Sequence, residues 1–127
     1  MKVPYYKQEF PWSCFPACLK MVLEFHGLEK EEDELRKLIK ATVYVGGSWF
    51  LVESAMESLG LHFYYSINFS LDELKDLIKN EIPVIVSLKL SQNHPNHTVV
   101  ITDVADEFIT ANDPEKGEGM RIKTRDF

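Results

Sequence analysis

Apolar positions recur at helical spacing through the first half of the chain and gather into strand-like runs in the second. Residues 2–7 (KVPYYK) read as an extended arm, because Pro4 disfavours helix and the two tyrosines suit packing on a core. A first helix follows, with boundaries from Ser13 to His26: Ser13 suits the cap, Pro16 the first turn and Gly27 the left-handed residue that closes it. Residues 29–40 (EKEEDELRKLIK) put acidic side chains early, basic ones late and Leu35, Leu38 and Ile39 on one face. That is a surface helix complementing its own dipole, with the charge run as a solvated face. Gly46 and Gly47 break the chain, and Ser48 caps a third helix through Leu59, closed by Gly60, with Leu51, Ala55, Met56 and Leu59 facing the core.

The aromatic, β-prone residues 61–67 (LHFYYSI) predict a short strand. Ser70 and Glu73 carry the S-x-x-E signature of a capping box, so a fourth helix runs to about Lys79 with Leu74, Leu77 and Ile78 buried, and Asn80 ends it. Pro83 then opens PVIVSLKL, a run apolar enough for a central strand covered on both faces. After the polar loop SQNHPN comes a second strong strand, HTVVITDV, a short VADE connection and a third strand, FITANDPEKG; MRIKT adds an edge strand. A hairpin symmetric about Ala105 would set Ile101 opposite Ile109, Val99 opposite Ala111 and His97 opposite Asp113. Directly opposed side chains have Cβ atoms about 5 Å apart, close enough for an imidazole and a carboxylate to hydrogen-bond. Asn112 is the alternative partner.

Composition narrows the field. The chain has 127 residues, a single-domain length spanning 1–127, and its 45% apolar content fits an ordinary globule. A net charge of −6 without a basic patch argues against nucleic acid and anionic membrane as partners. No run approaches the length needed to cross a bilayer, and MKVPYYKQEF lacks the apolar core of a secretion signal, which predicts a cytoplasmic protein. Cys14 and Cys18, four apart on one helix, make a poor disulfide and are expected to stay free.

The chemistry concentrates on Cys14. A thiol at a helix N-terminus meets unpaired backbone N–H groups and the positive end of the helix dipole, both of which favour the thiolate. Cys18, one turn on among Leu19, Val22 and Phe25, reads instead as a small core residue. His26 and His62 have no chemistry near them, whereas His97 opens a buried strand, where a ring is aimed by a rigid scaffold. Cys14 as nucleophile, His97 as base, Asp113 as its orienter and the Gln8 side-chain amide as oxyanion donor complete the roles that acyl transfer requires. A zinc site would draw on Cys14, Cys18, His94 and His97, but it leaves Gln8 and Asp113 without a role. Neither metal nor cofactor is called for.

These residues resemble the papain-like cysteine peptidases, and within them the bacteriocin-processing branch that cleaves double-glycine leaders. The resemblance is carried by VPYYKQ, CFPACLKMVLEFHG, GGSWFLVESAMESLGL, SLDELKDLIKNEIPVIVSL, HTVVITDV and NDPEKG, in the order glutamine, cysteine, histidine, aspartate. It implies an α+β papain-like fold: a helical N-terminal half with the thiol, a C-terminal antiparallel sheet with the imidazole, and a cleft between them. It also implies hydrolysis of a peptide or amide bond in a peptide or protein substrate through an acyl-enzyme. Phe15 stands where the family mostly has a small residue, so a narrowed cleft or a displaced oxyanion N–H is expected there. No transporter segment accompanies the peptidase-like stretch, so the double-glycine substrate is not carried over. The alternative on the same fold is a non-catalytic peptide-binding or regulatory domain.

Overall fold

The computed structural model describes residues 1–41, 49–62, 65–66, 69–88 and 97–127. Helices α1 (Cys14–Phe25), α2 (Glu32–Leu38), α3 (Trp49–Ser58) and α4 (Leu71–Lys79) precede strands β1 (Val84–Leu88), β2 (His97–Val104), β3 (Phe108–Asp113) and β4 (Gly117–Lys123). The strands form one antiparallel sheet in the order β1-β2-β3-β4. Among the described residues no helix is long and apolar enough to cross a membrane.

Helix α1 is the centre of the molecule. It is apolar around most of its circumference, with Phe15, Ala17, Cys18, Leu19, Met21 and Leu23 all buried, as expected of a helix covered on several sides. Leu19 and Leu23 pack with Leu35 and Ile39 of the α2 region and with Val52, Ala55 and Met56 of α3. Cys18 and Met21 pack instead with Val3 and with Val100 on β2. The alternation of β2 sends Val99 and Ile101 to the opposite face, where they meet Leu74 and Ile78 of α4. The sheet therefore lies between α1 and α4. The expected ends of α1 hold: Ser13 and His26 flank it, and Gly27 takes φ +87°. Ser70 Oγ accepts the Glu73 N–H at 3.1 Å to start α4, and Asn80 closes it, also as expected.

Several expectations are corrected. The second helix is shorter than residues 29–40. Leu35 and Ile39, four apart, are fully buried, but Leu38 is 44% exposed because it falls off their stripe. The charge run is not wholly solvated either, since Glu32 is buried. On α3, Val52 joins the expected Ala55 and Met56 in the core, whereas Leu51 is only half-buried. Residues 61, 62, 65 and 66 lie outside any strand, and Leu61 packs on the helical core instead; β-propensity without a partner edge does not make a strand. Strand β1 is at the sheet's edge, not its centre. Its apolar run does reflect two covered faces, with Val84, Val86 and Leu88 toward the α4 cluster and Ile85 toward those of α1. The expected Gly46–Gly47 break, the Ser48 cap, the rest of the 61–67 strand, the end of PVIVSLKL and the 91–96 loop with His94 lie outside the described residues.

The β2–β3 register is displaced by two from the expected one: Ile101 pairs with Ala111 and Val100 with Asn112. The turn centres beyond Ala105, whose N–H reaches Phe108 O at 2.8 Å, and an irregularity between Ile101 and Asp103 absorbs a residue. A displacement of two preserves which face each side chain takes. Asp113 thus becomes a diagonal rather than a direct neighbour of His97. The N-terminal arm lies across this end of β3: Asn112 Nδ2 donates to Val3 O at 3.1 Å, Tyr5 OH to Asp113 O at 2.8 Å, and the Gln8 N–H to Pro114 O at 2.9 Å.

Candidate active site

Three elements meet at the predicted residues. Cys14 is the first residue of α1 and is half-buried; His97 is the first of β2 and Asp113 the last of β3, both buried. The His97 and Asp113 side chains bond through Nε2 and Oδ1 at 2.7 Å. The same carboxylate oxygen accepts the N–H groups of Glu115 at 2.9 Å and Lys116 at 3.1 Å, so the turn after β3 fixes its direction. Nδ1 is then the ring nitrogen left for the sulfur. Asn112 is not the imidazole's partner; its side chain binds Val3 O and accepts the Gly119 N–H.

The thiol and the imidazole act on each other. Burial pushes the Cys14 thiol up, but hydrogen bonds from His97 and from the hydroxyl and backbone of Thr98, with the charge on His97, outweigh it and hold the pKa below the ordinary value. The hydrogen bond to Cys14 raises His97 to about 9, against a burial penalty and with further help from the Asp113 carboxylate. Glu115 Oε2 stands 3.8 Å from Nδ1, too far for a hydrogen bond. Cys18 is the opposite case. Fully buried, with Sγ on Thr98 O at 3.4 Å, its thiol is pushed well up by burial and is a core residue as expected.

Gln8 is tied to the helix entrance. Its Nε2 donates to Phe10 O at 2.8 Å, and that carbonyl also receives the N–H of Ser13, at 3.1 Å. The amide is thereby tied to the residue immediately before Cys14. Its Oε1 is buried with no hydrogen-bond partner among the described residues. Exchanging the two ends would set oxygen against the Phe10 carbonyl oxygen, so the orientation is dictated by that acceptor. Ser13 sits at the cap position, yet its hydroxyl makes no capping bond to α1; it accepts the Phe10 N–H at 3.0 Å instead. The Ser13 hydroxyl therefore does not compete for the positive end of the helix.

The expectation for Phe15 is corrected. Its ring is 9% exposed and belongs to the helical core with Leu19 and Leu23, so it does not narrow a cleft. A cavity of about 520 Å³ is lined by His97 and Asp113 with Leu88, Val99, Ala111 and Ile122, among others. Cys14 is not among its walls, so this hollow is not where sulfur meets a carbonyl. Among the described residues no group of three or more His, Cys, Asp or Glu is placed to hold a metal ion. Thr98, Tyr5 and Glu32 were not found by reading the sequence. Thr98 had only its place beside His97 to mark it, and Glu32 was hidden in a charge run.

The family model described as Peptidase_C39 like family matches residues 1–127. Among solved structures, the peptidase domain of Streptococcus ComA, a bi-functional ABC transporter involved in a quorum-sensing pathway, superposes with a TM-score of 0.78 at 21% identity, covering 98% of this chain and 88% of that one. A double glycine motif protease from an AMS/PCAT transporter, in complex with the leader peptide, gives 0.72 at 24% identity over 99% and 83%. No curated protein matches the chain significantly in sequence. The two structures share the fold expected from the resemblance, a helical half followed by an antiparallel sheet. By its match over residues 1–127 the chain belongs to the Peptidase_C39 like family, and it is a cysteine-type peptidase of papain-like fold.

Proposed function

We propose that residues 1–127 form one domain that hydrolyses a peptide or amide bond in a peptide or protein substrate, with Cys14, His97 and Asp113 as catalytic triad and Gln8 at the oxyanion. The observation that carries this reading is the His97 imidazole held through Nε2 on Asp113 Oδ1 at 2.7 Å, which leaves its Nδ1 side free of that bond, with the Cys14 and His97 pKa values pulled apart by their mutual interaction as support. The Cys14 thiolate adds to the carbonyl carbon, and the resulting oxyanion is met by the Cys14 N–H and the second hydrogen of Gln8 Nε2. His97 gives its Nδ1 proton to the leaving nitrogen, the C–N bond breaks and an acyl-enzyme remains. His97 then takes a proton from water, whose oxygen attacks the thioester and returns the thiolate. Two free cysteines suit a reducing compartment, which supports a cytoplasmic location. One structural neighbour is a double glycine motif protease in complex with a leader peptide, which makes short peptides with small residues before the scissile bond the first substrates to try.

The pH profile tests the pair. Since the Cys14 pKa is lowered and that of His97 raised to about 9, thiolate and imidazolium coexist between them, and kcat/KM should trace a bell. The acid limb should lie below the ordinary thiol range and the alkaline limb near 9. The imidazolium's contribution to stability is complete below the ordinary histidine value and is lost as pH rises through about 9. Activity that climbs steadily through the alkaline range contradicts the ion pair.

A further inference from the structure

Between the Gln8 amide and Cys14 the chain makes a five-residue link, and the groups that fix it come from α2. Glu32 is 2% exposed. Its Oε1 accepts the Glu9 N–H at 3.1 Å and lies 3.3 Å from the Ser13 hydroxyl, so one carboxylate oxygen touches both ends of the link. Its Oε2 pairs with Arg36. The guanidinium of Arg36 also reaches Glu9 Oε1 at 3.2 Å and Asp33 Oδ1 at 3.3 Å, and lies 4.7 Å over the Phe10 ring. Phe10 in turn stacks on Trp12 with ring centroids 5.3 Å apart. Burial pushes the Glu32 carboxyl up, and the Glu9 N–H, Arg36 and the Ser13 hydroxyl oppose it.

A buried charge is a poor means to stability alone, since apolar residues of the same volume often serve as well or better. Here the carboxylate's bonds to the link converge on the backbone and hydroxyl that set the angle between the amide and the helix entrance. We propose that Glu32 is a positioning residue for the reaction: it holds the link so that the Gln8 amide and the Cys14 N–H converge on one oxygen. The inference rests on the peptidase reading above.

Two probes separate positioning from folding. Iodoacetamide alkylates Cys14 by displacement at carbon, with iodide leaving and no oxyanion formed. p-Nitrophenyl acetate acylates it through a tetrahedral intermediate: the S–C bond forms, the ester C–O bond breaks and p-nitrophenolate leaves. Glu32→Gln keeps the shape of the side chain and leaves Arg36 bound to Glu9 and Asp33. In that variant the burst of p-nitrophenolate should slow by about ten- to a hundredfold, the scale expected of a small misplacement, while alkylation keeps the wild-type rate. Ser13→Ala, which removes only the hydroxyl, should give a smaller loss of the same kind and serves if Glu32→Gln does not fold. Unchanged acylation in both variants, or acylation and alkylation falling by the same factor, overturns the proposal. Failure of the peptidase reading is visible separately in the wild type, as slow and equal labelling of Cys14 and Cys18, and the inference then falls with it.

Discussion

Replacing His97 by alanine should lower turnover by about a hundred- to ten-thousandfold, the range of general acid–base catalysis, and should return Cys14 to the behaviour of an ordinary buried thiol. Both effects follow from one contact. The hydrogen bond and charge of His97 are, with the bonds from Thr98, what overcome the burial penalty on the Cys14 thiol, so removing the imidazole should move the thiol back up. Cys14→Ser should be at least as damaging, because a serine hydroxyl at that position has no comparable anion for the imidazolium to stabilise. Stopped assays on a peptide pool, with product detected by mass, check both variants. Turnover by His97→Ala close to that of the wild type would move the base elsewhere. Circular dichroism separates loss of chemistry from loss of fold, since His97 opens the fully buried part of β2.

Gln8→Ala should lower turnover by about a hundred- to a thousandfold, equivalent to about 2.7–4 kcal/mol of transition-state stabilisation, without lowering the melting temperature. The second half of that prediction comes from the buried Oε1, which has no partner among the described residues. The substitution removes one hydrogen bond, Nε2 to Phe10 O, but it also removes an orphaned acceptor, and the two effects are of similar size and opposite sign. An amide kept at such a cost is expected where function and not folding requires it. A kinetic assay beside a thermal melt decides the point: loss of stability with little loss of turnover would make Gln8 a structural residue.

Much of this arrangement was legible because its signals are local. The helix from Cys14 to Phe25 announces itself through the Ser13 and Gly27 boundaries, and the Ser70 cap and Asn80 stop frame α4 in the same way. The contact between His97 and Asp113 was reached through a register wrong by two residues. It survived because strand periodicity is two, so an even displacement keeps both side chains on one face. A slip of one would have separated them. What stayed hidden depends on tertiary contacts. A run such as EKEEDELRK does not say which carboxylate turns inward, because Glu32 becomes buried only when residues 9–13 fold over it. Phe15 looked like an obstruction for the same reason. Only the packing of α1 against α2 and α3 shows its ring entering the core.

The central claim is that the Cys14 sulfur is made anionic by the imidazole, and the rate of its alkylation as a function of pH measures that directly. Iodoacetamide labelling from acid to alkaline pH, with Cys14 and Cys18 resolved by peptide mass, should show Cys14 reacting rapidly at pH 6 and levelling off below the ordinary thiol range of about 8.5, with Cys18 far slower throughout. In His97→Ala the Cys14 midpoint should move up past that value. A wild-type Cys14 that is as inert as Cys18 at pH 6, or whose midpoint is indifferent to His97, would contradict the account.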